Sequence, residues 1–191
     1  MYCQDNELAW YDWDDVDEEF LEWTSRLVAY RASHPVFRRR RWFQGRKIRG
    51  IEDMAWFRPD GEEMSDDDWD TGHARSVGVF VNGESIQTTD LFGGRIVDDT
   101  FLILLNASEL DLDWVLPQQR WGARWIVDLD TEDPGVGTFD RPSIGVEAGG
   151  SLTVTARSLL VLRRTALTVS ESHPASGSGK TGSPGATGNR T

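Results

Sequence analysis

The sequence predicts a mixed fold in which an amphipathic helix near the amino end precedes an antiparallel β-sandwich and a disordered tail. Three observations carry that prediction. Val16, Phe20, Trp23, Leu27 and Tyr30 recur at steps of four and three, which places them along one helical face. From Val77 the period changes to short runs rich in β-branched and aromatic residues, separated by Gly, Asp, Asn and Pro. From about Ala166 large apolar residues vanish and Ser, Gly, Thr and Pro take over. Such a composition cannot bury enough surface to offset ordering entropy.

Met1 to Trp13 packs amides, carboxylates and aromatics together with almost no aliphatic content. Leader peptides open on basic or apolar runs, and disordered tails avoid Trp and Tyr. The cluster reads either as a surface loop whose rings tuck under the next helix, or as a sugar contact. Hydroxyls suit amides and carboxylates, and the C–H faces of a pyranose suit aromatic rings. The helix follows over 14–34, capped by Asp14 or Asp15, with Asp17, Glu18 and Glu19 at its positive end and Arg31 and His34 at the other. Pro35 stops it.

Beyond Pro35 an irregular connector is expected, with one short strand at Met54–Phe57 running into the turn Arg58-Pro59-Asp60-Gly61. It holds four consecutive arginines, Arg38 to Arg41, and the acids Asp66 to Asp68. The arginines read as a nuclear-import signal, as an anion site or as a solvated basic patch paired with that acidic run, and the acidic background favours the patch. Six strand runs follow at Val77–Asn82, Phe101–Asn106, Leu112–Leu116, Trp125–Asp128, Ser151–Thr155 and Leu159–Leu162. Gly149-Gly150 supplies a tight turn before the fifth. Many short strands with turn signals between them predict an antiparallel sandwich.

Bulk properties exclude several classes. A net charge of −12 over 191 residues disfavours nucleic acid and anionic membrane as partners, whereas a neutral polysaccharide carries no such penalty. The single cysteine, Cys3, rules out an internal disulfide and fits a reducing cytoplasm. No apolar run reaches the ~20 residues that span a bilayer. His34, His73 and His173 lie far apart, so no metal site is expected. Gly177-Ser178-Gly179-Lys180-Thr181 imitates a phosphate-binding loop, but Pro174 stands where the leading glycine belongs and no strand precedes it. Ser158 is not in a nucleophile elbow. Asp5 and Glu7 could face one cleft, yet nothing sets them ~5 Å apart on opposed walls as a retaining glycosidase requires.

The chain also resembles a known family. Tyr2-Cys3-Gln4-Asp5-Asn6-Glu7 with Trp10 and Trp13 is similar to the loop after the eighth barrel strand of isoamylase-type glycogen debranching enzymes. These are the glycogen-operon debranching proteins of the α-amylase family. The likeness continues through His34-Pro35-Val36-Phe37 with Arg38 to Arg41, Phe43-Gln44-Gly45, Ala55 to Gly61, and Met64 to Trp69. Val79-Phe80-Val81-Asn82-Gly83, Leu104-Leu105-Asn106-Ala107 and Ala156 to Leu162 complete it, over about 1–164.

The resemblance implies a remnant of a (β/α)8 catalytic barrel over 1–36 (last loop and final helix), a connector over 37–76 and a C-terminal β-sandwich over 77–165, and composition adds the disordered tail over 166–191. The family's catalytic carboxylates would lie upstream of Met1, so no catalytic residue is expected here. Met1 stands where the family's asparagine-rich approach to the loop would end, as a truncated gene or misplaced start would leave it. The implied parent hydrolyses α-1,6-glucosidic branch linkages in glycogen or limit dextrin by a retaining mechanism, without a cofactor. Its partners here would be branched α-glucan and the missing barrel portion. Gln4, Asp5 and Asn6 would bond glucose units beside the branch, with Tyr2 or Trp10 as stacking platform. The helix stripe would face the barrel, so Phe20, Trp23 and Leu27 would be exposed without it. Two other readings stay open: a glucan-binding module using Trp114, Trp121 and Trp125, and one half of a split enzyme.

Overall fold

The computed structural model describes residues 2–45, 47–48, 50–71, 74–133 and 145–165. The expected disordered tail, the Gly177–Thr181 imitation, His73 and His173 lie outside them. In chain order the elements are α1 (Glu18–Ser33), a 3-10 turn (Pro35–Arg38), β1 (Lys47–Ile48), β2 (Ile51–Glu52), β3 (Met54–Phe57), α2 (Asp66–Trp69) and β4 (Ser76–Val81). After a short 3-10 turn at Gly83–Ser85 come β5 (Phe101–Asn106), β6 (Leu112–Val115), β7 (Arg124–Asp130), β8 (Gly145–Glu147), β9 (Ser151–Val154) and β10 (Ser158–Thr165).

Six strands form one sheet in the order β3-β4-β5-β10-β7-β8, and β6 pairs with β9 in a second, two-stranded sheet. Every pairing among the described strands is antiparallel. A (β/α)8 barrel is built on parallel strands, and no parallel pairing is seen among the described residues.

Period-two alternation gives the large sheet two apolar faces. On the inner face Phe57, Phe80, Leu102, Leu104, Trp125 and Leu162 meet Trp114, Leu116 and Val154 from the small sheet side in one core. Each such side chain contributes about 1.5–3 kcal/mol on burial. The edges of this layer are joined by Asn106, itself buried. Its amide nitrogen reaches the carbonyls of Leu110, Val154 and Thr155, and its oxygen accepts from Ser76 Oγ and Ser108 N–H. The resulting sandwich is lopsided, six strands against two.

The outer face carries Val79, Val81, Phe101, Ile103, Leu159 and Val161, and α1 with the Pro35–Arg38 turn covers it. Here the structure corrects the expectation for the helix. Leu27 and Tyr30 pack on the sheet, so the sheet takes part of the stripe assigned to a barrel. Val36 is driven into this core, and Phe37 and His34 ring Phe101 at 4.7 and 4.8 Å between centroids. The His34-Pro35-Val36-Phe37 motif is therefore a clamp: proline ends the helix and a tight turn aims three apolar faces at the sheet. Phe20 remains exposed, as do Leu21 and Val28, which the helical period places opposite Trp23, Leu27 and Tyr30.

Other expectations shift for local reasons. The helix begins at Glu18, not at 14, because Asp17 Oδ1 accepts the Phe20 N–H at 2.9 Å while Asp12 Oδ1 takes the Asp14 N–H in a turn. The connector is not irregular throughout: Met54–Phe57 is the first strand of the large sheet. The acidic run does not pair with Arg38 to Arg41. Asp68 caps α2 from Ser65 and meets Arg58, and the Ser65 N–H and hydroxyl hold its carboxyl below the usual range, with Arg58 adding to this. Gly149-Gly150 makes its turn, with Gly149 at φ +74°, but passes the chain from the large sheet to the small one and not between paired strands.

Candidate functional site

The amino-terminal loop is built around Asn6. Its carbonyl accepts the N–H groups of Ala9 and Trp10, and its Oδ1 accepts the Leu8 N–H at 3.1 Å. Trp10 Nε1 donates to Asp5 Oδ1 at 2.6 Å, which ties the indole to the carboxylate. Asp5, Asn6 and Trp10 thus line one shallow depression of about 380 Å³, together with Glu7 and Leu8. Tyr2 and Gln4 lie outside that lining. Tyr2 is 96% exposed, and both Tyr2 and Cys3 hold positive φ, at 46° and 57°. The rings of Tyr11 and Trp13 meet edge-on at 5.0 Å. This loop presents amide, carboxylate and indole to solvent and does not tuck them under α1.

A second aromatic surface lies on the helix stripe, where Phe20 and Trp23 are expected to be exposed. Phe20 and Trp23 lie nearly parallel, 15° apart, and with Asp17, Glu19 and Thr131 they line a cleft of about 320 Å³. Helical spacing alone puts Phe20 beside Trp23; only the fold brings Thr131 to them.

The three tryptophans weighed as sugar platforms are not available for that role. Trp114, Trp121 and Trp125 are 0%, 2% and 0% exposed, and Phe57 and Phe80 meet Trp121 edge-on at 5.0 and 4.9 Å. They fill the space between the sheets.

Charged groups gather where α1 meets the sheet. Between Leu162↔Val127 and Val161↔Leu129 the register slips, leaving Asp128 as an unpaired bulge residue. Asp128 accepts from Tyr30 Oη at 3.1 Å and from Arg163 Nε at 2.6 Å. Burial, then the Asp128 carboxylate, push the Tyr30 phenol well above its ordinary value, and the hydrogen bond to Asp128 raises Arg163. Beside them His34 Nδ1 lies 2.9 Å from Asp98 Oδ1, whose other oxygen accepts the Val36 N–H. With Asp99 these groups place three ligand-type atoms within 4.8 Å of one another. Their oxygens already serve the His34 ring, the Val36 amide and Arg163, so the cluster reads as the helix anchor.

The chain belongs to the family described as "Isoamylase, C-terminal", whose model matches residues 53–163. That span runs from just before β3 into β10 and so contains the small sheet and all of the large one but the last two residues of β10. Among individual proteins it is 45% identical over 170 residues to the "Glycogen operon protein GlgX homolog" of Mycobacterium bovis, covering 86% of this chain, and equally to that of Mycobacterium tuberculosis. It is 31% identical over 120 residues, 63% of this chain, to the "Glycogen debranching enzyme" of Dickeya chrysanthemi, of which it covers 15%. The chain spans 23% of the length of the mycobacterial relatives. A solved pullulanase type I from Bacillus subtilis str. 168, complexed with maltose, is 15% identical, with 81% of this chain and 17% of that one covered at a TM-score of 0.47. No described helix is long and apolar enough to cross a membrane.

Proposed function

We propose that this chain is the carboxy-terminal portion of a glycogen debranching enzyme, one that hydrolyses α-1,6-glucosidic branch linkages in glycogen or limit dextrin by a retaining mechanism. The match along 170 residues to the GlgX homologues carries the reading. In it, residues 1–36 supply the last loop and outer helix of a catalytic barrel, 37–76 connect, and 77–165 form the accessory domain with strand β3 joined to it. The catalytic carboxylates belong to the remainder of the enzyme, in the cytoplasm. This portion supplies substrate contacts: Gln4, Asp5 and Asn6 bond glucose hydroxyls, with Tyr2 or Trp10 beneath a pyranose ring.

The two-sided helix supports the arrangement. One side of α1 is taken by the sheet, while Leu21 and Val28, 48% and 63% exposed, face the other way. Exposed aliphatic residues along one helical line call for a second packing partner, and the barrel is that partner. A free-standing glucan-binding module has lost its candidate tryptophans to the core.

Complementation tests the reading. The 191-residue chain, mixed with the separately produced upstream remainder of the Mycobacterium tuberculosis relative, is expected to raise release of linear α-1,4 oligosaccharides from limit dextrin. Leu21→Glu/Val28→Glu should abolish that gain while leaving the circular dichroism of the chain unchanged. No gain on mixing, or a gain indifferent to the two glutamates, would contradict it.

A further inference from the structure

Three of the four arginines in the run, all but Arg39, have no internal explanation among the described residues. The guanidinium groups of Arg38, Arg40 and Arg41 make no ion pair or hydrogen bond among the described residues, and all three are exposed. In a chain of net charge −12, unpaired cations this dense are unusual, because many carboxylates are at hand to neutralise them. Arg39 differs. Its side chain is 6% exposed, it stacks over Phe43 at 4.2 Å, and its Nη2 donates to the Ser85 carbonyl at 2.9 Å. Its Nη1 stands 3.6 Å from Asp53 Oδ2 and is buried without a hydrogen-bond partner.

Arg38, Arg39 and Arg40 line one groove of about 380 Å³ between the Pro35–Arg38 turn and the 86–96 loop. That is within the range of small-molecule sites. Thr88 and Thr89 add hydroxyls to its wall, and Ile86 and Ile96 add an apolar surface. The lining holds one carboxylate, Asp90, whose Oδ1 is occupied by the N–H groups of Phe92 and Gly94 at 2.8 and 2.7 Å. Two exposed guanidinium groups, from Arg38 and Arg40, stand beside the unpartnered Nη1 of Arg39, whose charge Asp53 already meets, and one carboxylate shares the lining. With hydroxyl donors beside them they match a tetrahedral oxyanion: forked N–H donors take two oxygens at once and hydroxyls take the third.

We propose that this groove binds a phosphomonoester through Arg38, Arg39 and Arg40, with Thr88 and Thr89 completing the oxyanion shell. Bound phosphate would also relieve the repulsion among neighbouring arginines. The site stands apart from the debranching reading, since none of its residues belongs to the amino-terminal loop.

Isothermal calorimetry on the 191-residue chain, with inorganic phosphate and with glucose 1-phosphate against chloride at equal ionic strength, tests it. Saturable one-site binding is expected. Arg38→Gln/Arg40→Gln should weaken it by about tenfold or more, the loss of at least one charge-assisted hydrogen bond. Arg41→Gln, which lines the neighbouring cavity, should bind as the parent does. Tighter binding of glucose 1-phosphate would assign the groove to a sugar phosphate and equal binding to the phosphate group alone; either supports the site. The proposal fails if neither probe saturates, if the double variant binds unchanged, or if Arg41→Gln loses as much as the double variant does.

Discussion

Gly83 shows why a single residue can be fixed by contacts far along the chain. A Cβ at this position would overlap the carbonyl oxygens of Asp98 and Asp99, since the Gly83–Ser85 turn and the approach to β5 run against each other. Its N–H donates to Thr100 Oγ1 at 3.3 Å and its carbonyl accepts the Asp98 N–H at 3.1 Å, so neither strand can retreat cheaply. Gly83→Ala is expected to destabilise the chain by about 1–3 kcal/mol, as overpacking does, read from the urea midpoint. An unchanged midpoint would show that the turn can move. The sequence displayed Asn82-Gly83 as a motif but not this reason, which lies in residues that only the sheet brings close. The same holds for Asp128. It was legible as the end of a strand, whereas its bulge, and hence its place beneath Tyr30, depends on the register with β10. The loop at Tyr2 to Trp10 was legible in composition, and the Trp10–Asp5 bond is one that composition cannot supply.

At the scale of the element, α1 was readable because its apolar period is strong and Pro35 ends it. Its start was misjudged by a few residues, since five acids lie between Asp12 and Glu18 and only the one that caps, Asp17, fixes the boundary. Its partner was misjudged because periodicity reports a face and not what covers it. The tie between helix and sheet has a pH signature. A group whose pKa is raised on folding contributes stability that is complete below its unfolded value and is lost as pH rises past that value. For Tyr30, burial and Asp128 raise the pKa above the ordinary 10.0, so stability should fall as pH passes about 10. Tyr30→Phe removes the hydrogen bond to Asp128, costs about 1 kcal/mol near neutrality and flattens that decline. Urea midpoints of both forms from pH 8 to 11 check this; parallel declines would mean that Tyr30 does not couple helix docking to pH.

Across the whole molecule, alternating runs identified six strands of the sandwich and a seventh at Met54–Phe57, because each carries apolar residues at a two-residue period or in a buried run. The very short strands β1, β2 and β8 were missed. Three residues such as Gly145-Val146-Glu147 give no period, and only the pairing with β7 makes them a strand. The strand order was also beyond the sequence: β10 inserts between β5 and β7, a placement set by packing on both faces. The outcome is a sheet with a sealed inner face, an outer face clamped by α1, and a helix with apolar residues still turned outward. On the proposed reading, this portion would support catalysis and contribute sugar contacts without performing the hydrolysis. Chromatographic measurement of linear oligosaccharides released from limit dextrin by the purified 191-residue chain alone tests this most directly. The account predicts no release above a heat-denatured control. Sustained release that scales with chain concentration would place catalytic carboxylates within these residues and contradict it.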